Sequence, residues 1–82
     1  MQINIAPIQG FGKTGVKIDL QPFVVDAEKK RASCHWVILD EDGNDVVRRT
    51  SIFEGSAYEQ WGTDDNYAVN LVLADAGVQR AA

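Results

Sequence analysis

The chain predicts a small α+β domain: an antiparallel β-sheet of about four strands built around a central hairpin, with one C-terminal helix packed on it. Three observations carry this expectation. Two β-rich runs, Ser33 to Leu39 and Asp45 to Phe53, are joined by an acidic turn ending in Asp-Gly-Asn, in which glycine supplies the positive φ of a hairpin. The stretch from Thr63 to Gly77 shows apolar residues at helical spacing between a capping residue and a stop. All strand-like segments precede that helix, which is the order of an α+β domain rather than of an alternating fold. With 82 residues, 45% of them hydrophobic, the chain supports one domain over residues 1–82 with a single modest core.

The elements follow in order. Residues 1–9 hold Ile3 and Ile5 at alternating positions and then Pro7, so they read as an extended arm or as an edge strand limited by the missing proline donor. Gln9 to Gly15 is a glycine-rich connection. Val16, Ile18 and Leu20 alternate with Lys17 and Asp19 in a half-buried strand that Pro22 interrupts and that Phe23-Val24-Val25 extends. Asp26 to Arg31 is a charged loop. In the hairpin that follows, Cys34, Trp36 and Ile38 face one side and His35, Val37 and Leu39 the other. Apolar groups on both sides predict a strand that is central or covered twice. Glu54 to Gly62 is a linker with room for one helical turn, and Gly62 breaks it before the helix over residues 63–77. Thr63 is the expected N-cap, Asp64 and Asp65 favour the positive end of the helix dipole, and Gly77 ends the helix at C′.

Composition removes several function classes. Net charge −4, from 12 acidic and 8 basic residues, argues against a nucleic-acid partner, whose backbone is bound by clustered Lys and Arg. Lys29-Lys30-Arg31 and Arg48-Arg49 read as a solvated loop and a strand end. A single cysteine, Cys34, forms no internal disulfide. No apolar run approaches the ~18 to 20 residues of a membrane span, and the opening Met-Gln-Ile-Asn-Ile lacks the charged and then apolar pattern of a secretory signal.

Three motifs invite chemistry and lose it on inspection. Gly10-Phe-Gly-Lys-Thr-Gly15 has the G-x-G-x-x-G spacing, but a dinucleotide fingerprint opens a helix and a strand pattern follows here; the phosphate-loop pattern would need glycine where Pro7 stands. Asp40-Glu-Asp-Gly-Asn-Asp45 begins like a calcium loop, yet Asp45 occupies the glycine position and Ser51 the place of the bidentate glutamate. Cys34 and His35, the only cysteine and histidine, are adjacent on a strand and point to opposite faces, and a zinc site needs more such ligands than one chain holds. No catalytic residue, metal site or cofactor is expected.

The helix is the best remaining pointer. Wound at about 100° per residue, it carries Ala68, Val69, Val72, Leu73 and Ala76 on one arc and Tyr67, Leu71, Ala74 and Val78 on a second. A helix apolar on two faces is normally covered on both, and the sheet supplies one layer. The expected interface is therefore Tyr67, Leu71 and Val78, with Tyr58 and Trp61 beside it. Those two aromatics flank a glycine-bounded turn, where they either pack the helix start or contact a neighbour.

Tyr58-x-x-Trp61-Gly-Thr-Asp-Asp-x-Tyr67, followed by Asn70-x-Val72-Leu73 and Gly77, resembles small proteins encoded among virion-structure genes of tailed bacteriophages. In those, the same tyrosine, Trp-Gly-x-Asp-Asp and amphipathic helix follow a β-rich first half with an Asp-Gly-Asn hairpin. The resemblance covers residues 34 to 78; the N-terminal arm and the Gly10 to Gly15 loop lie outside it. It implies a non-enzymatic accessory structural protein of a virion, in capsid decoration or in the tail or neck, synthesised in the host cytoplasm. Its partners would be further copies of itself, a larger phage capsid or tail protein, or both, with neither nucleic acid nor membrane. The N-terminal arm is a further candidate contact, adding a strand to a neighbour's sheet. The alternative function is a phage-encoded inhibitor of a host protein, which acidic residues gathered on one exposed face would favour. The docking hypothesis expects Leu71→Asp to leave the domain folded and to abolish assembly.

Overall fold

A computed structural model describes residues 1–10, 12–62 and 64–81. It is an α+β domain in which a five-stranded antiparallel sheet carries two helices. The strands are β1 (Gln2–Gly10), β2 (Lys13–Leu20), β3 (Val24–Asp26), β4 (Arg31–Leu39) and β5 (Asp45–Glu54), followed by α1 (Ser56–Trp61) and α2 (Asp65–Ala76). β4 is the hub. β5 pairs along one side of it, from Arg31↔Glu54 to Leu39↔Asp45. On the other side β2 pairs with its second half and β3 with its first. β2 and β3 are thus one ribbon broken at Gln21-Pro22-Phe23, where proline has no N–H for a ladder. The expectation of about four strands counted that ribbon once.

The glycine-rich connection is mostly strand. Gly10 pairs with Lys13 and Thr14 with Gln9, and Gly12 takes the turn at φ 76°. Gly15 serves packing instead: a Cβ there would collide with Ile38 Cγ2 and lie 3.2 Å from Ile8 Cγ1. The second hairpin closes on Asp40, whose Oδ1 accepts the backbone N–H groups of Asp42 and Asn44, each at 2.9 Å. Gly43, at φ 83°, supplies the left-handed residue.

Residues 1–9 are an edge strand rather than a free arm. β1 pairs with β2 at both ends, with an irregularity between Asn4 and Ile8. Over that gap the C-terminal tail covers the outer side. Ala6 N–H donates to the Gln79 carbonyl at 2.8 Å and Ala81 N–H to that of Asn4 at 2.9 Å.

One face of the sheet and one face of α2 make the core. Ile18, Leu20, Ala32, Cys34, Trp36, Ile38 and Phe53 meet Ala68, Val69, Val72 and Leu73, all buried. The first helix arc therefore lies where periodicity placed it. Asp64, not Thr63, is the N-cap: its Oδ1 accepts Tyr67 N–H at 3.2 Å, and Thr63 lies outside the described residues. An aspartate carboxylate is the better cap, because it accepts strongly and is favoured by the helix dipole. At the other end Gly77 sits in the left-handed region, its N–H on the Ala74 carbonyl and that of Val78 on the Leu73 carbonyl, both at 3.1 Å. This is a Schellman closure, which folds the residue after the glycine back onto the last helical turn.

Candidate functional site: surfaces for protein contact

The helix arc expected to face a partner is dispersed by the structure. Val78 is buried, 6% exposed, because the Schellman turn takes it off the helical spiral and presses it into the core. It belongs to the fold, which corrects its placement at an interface. Leu71 is half-buried and packs on the margin of the core. Tyr67 is half-buried too, its hydroxyl donating to Gln60 Oε1 at 3.0 Å, so it ties α2 to α1. Of that arc only Ala74 is exposed.

Tyr58 and Trp61 are brought together, chiefly to pack. The Trp61 ring centroid lies 5.4 Å from Phe23, 5.5 Å from Phe53 and 6.1 Å from Tyr58, with the edge-on and tilted geometries that aromatic quadrupoles favour. Both residues still reach the surface, where with Val25, Glu59 and Gly62 they line a depression of about 310 Å³. Val25 is 49% exposed beside them.

The surface that sequence reasoning missed is the other face of the sheet. β4 is central, as expected, but it is covered once: His35 is exposed and Val37 and Leu39 are half-buried. Residues paired across antiparallel strands share a face, so Val24, Ser33 and Ile52 form one open row and Asp19, Val37 and Arg48 another. Val24 is 59% and Ile52 61% exposed. The signal was present in the alternation of β5, where Ser51 and Phe53 are buried and Ile52 between them is not. Period-2 alternation cannot name the face an apolar residue takes until the register is known.

Polar groups on the core side are spoken for. Trp36 Nε1–H donates to Ser51 Oγ at 2.8 Å, and Ser51 donates to Asp75 Oδ2 at 2.6 Å. These two bonds fasten β4, β5 and α2 together and commit the Ser51 hydroxyl proton to Asp75. Burial pushes the Cys34 thiol up from its ordinary value, which keeps it protonated and unreactive at neutral pH. His35 turns to the opposite face, its Nδ1 2.6 Å from Thr50 Oγ1. Among the described residues no group of three His, Cys, Asp or Glu side chains could hold a metal ion. In the acidic hairpin tip, Asp40 spends its oxygen on its own loop's amides and Asp45 pairs with Arg48 at 2.6 Å.

Besides Arg48, two more of the eight basic residues are in ion pairs. Lys30 meets Glu59 at 3.2 Å and Arg31 meets Glu54 at 2.8 Å. All these pairs are solvent-exposed and each contributes at most about 1 kcal/mol; they intersperse the two signs around β5. Among the described residues no helix is long and apolar enough to cross a membrane. Set against protein-family models, curated proteins and solved structures, the chain finds no match.

Proposed function

We propose that this protein is a non-enzymatic accessory structural component of a tailed-phage virion, docking on a larger capsid or tail protein through the open face of its sheet. The observation that carries the docking surface is the exposed row Val24–Ser33–Ile52, on a sheet whose other face holds the core. Uncovered apolar groups on a regular surface are what partner proteins cover. The virion assignment rests on the resemblance of residues 34 to 78, and the contacts shift from the helix arc to the sheet. Tyr58 and Trp61, beside Val25, remain as a second contact at the aromatic end. Repetition of copies by symmetry makes a modest interface effective through avidity.

The inhibitor reading calls for acidic residues gathered on one exposed face; four of the twelve, Asp19, Asp45, Glu54 and Glu59, are paired with cations of the same chain, and the others are spread over the acidic hairpin tip, the ends of α2 and the β3–β4 hairpin. Mass spectrometry of purified particles tests the virion assignment. Tens to hundreds of copies per particle indicate shell decoration, three, six or twelve indicate the tail axis, and absence ends the proposal. Adding Val24→Asp then tests the surface: the variant should remain folded and be lost from particles. Retention at wild-type copy number would place the contact elsewhere.

A further inference from the structure

The two long outer strands of the sheet are treated very differently; β3, which also pairs only with β4, is an edge of three residues. β1 is blunted by Pro7, by the irregularity between Asn4 and Ile8, and by the C-terminal tail along its outer side. β5 pairs only with β4, contains no proline, and among the described residues has no other backbone segment along its outer side. Natural sheets rarely leave a long edge unprotected, because its free N–H and C=O groups are a template for another strand.

The direction of those groups follows from one hydrogen bond. Gln21 N–H donates to the His35 carbonyl at 2.8 Å. In an antiparallel strand the N–H and C=O of one residue point to the same side, so His35 directs its backbone toward β2 and away from β5. Thr50, opposite His35, is consequently in a non-hydrogen-bonded pair and turns its own N–H and C=O outward. Arg48, Ile52 and Glu54 share that parity, and their side chains share the open face; the outward Arg48 carbonyl accepts a hydrogen bond from the exposed Arg49 Nη1 at 3.0 Å, a contact the second strand would displace.

We propose that β5 pairs antiparallel with β5 of a second copy of this chain, about a two-fold axis at Ser51, joining the two sheets into one. The occupant and the register both come from charge. A two-fold contact sets the same strand against itself reversed. Among registers that oppose outward-directed residues, the one centred on Ser51 places Arg48 opposite Glu54 of the second copy, twice, and Thr50 opposite Ile52. Centring on Thr50 would set Arg48 against Ile52, and centring on Ile52 would set Glu54 against Thr50. Within each chain Arg48 already meets Asp45 at 2.6 Å and Glu54 meets Arg31 at 2.8 Å. The junction therefore becomes an alternating row of Asp45, Arg48, Glu54 and Arg31, the last two from the second copy. The two Ile52 side chains, 61% exposed in the single chain, become diagonal neighbours across the junction, within the range where such pairs stabilise a sheet. The backbone pairing runs along the edge of the sheet rather than over its open face; Ile52 belongs both to this junction and to the open row that the virion proposal uses, and the pairing holds whatever the rest of that face docks on.

Analytical ultracentrifugation of the full chain tests it. The wild type should show a reversible monomer–dimer equilibrium. Arg48→Glu alone and Glu54→Arg alone should each weaken the dimer about tenfold or more, because each turns two opposed attractive pairs into repulsive ones. An equimolar mixture of the two variants should recover a mixed dimer of near wild-type affinity. In it the glutamate introduced at position 48 of one chain faces the arginine introduced at position 54 of the other, and the remaining native Arg48 and Glu54 face each other. Thr50→Pro removes an N–H that no bond within the chain uses, and should give a folded monomer by circular dichroism. A wild type that stays monomeric, a dimer that both charge variants leave unchanged, or a mixture that does not associate overturns the proposal.

Discussion

Gly15 shows how one absent side chain shapes the sheet. Its φ is ordinary, so conformation is not the reason for glycine there; the space is taken by Ile38 Cγ2 and Ile8 Cγ1. Gly15→Ala should cost about 1–3 kcal/mol in urea unfolding, the range for overpacking a core. In an Ile38→Ala background, which removes the colliding methyl, the same change should cost far less. Equal costs in the two backgrounds would disprove the collision. Ser51 is the other residue whose role depends on what surrounds it. Placed between an indole donor and an aspartate acceptor, it is the one buried polar residue among those described, and its hydroxyl can donate and accept at once.

At the scale of elements, α2 is held by its ends as much as by its face. Asp64 caps it, and the Gly77 turn carries Val78 into the core. Asp64→Ala should lower stability by about 0.5–2 kcal/mol, with loss of helical circular dichroism confined to a fraying first turn, while Asp64→Asn should recover most of it. If the two variants unfold alike, the carboxylate does not cap through its oxygen. The hairpins rest on a similar logic: Gly12 and Gly43 take the left-handed turns, and the Asp40 side chain organises the second loop through its amides. Both roles are local, and glycine between strand-like runs, after Asp42 in the second hairpin, is a signal that sequence carries directly.

The whole molecule is a two-layer structure with one layer left open. α2, of 12 residues, spans about 18 Å, against strands of nine and ten residues that run about 30 Å, so the helix covers part of one face and none of the other. The consequence for mutagenesis reverses the expectation drawn from the helix alone. Leu71→Asp, at the margin of the core, should lower stability by about 1–3 kcal/mol by placing a charge against apolar groups. Val24→Asp should leave stability within about 0.5 kcal/mol. Comparable melting shifts for the two would mean that Leu71 is outside the core after all. The α+β class, the central hairpin, the glycine turns and the buried arc Ala68, Val69, Val72 and Leu73 were legible in the chain, because periodicity and turn chemistry are local properties. The placement of Val78 follows from the local turn at Gly77, which takes it off the helical spiral. The use of Tyr58 and Trp61 beside Phe23 and Phe53, the capture of β1 by the tail, and the open row of Val24 and Ile52 were decided only by tertiary structure. Each depends on which distant segment occupies the neighbouring space, and the register that settles it is a property of paired strands, absent from any one of them.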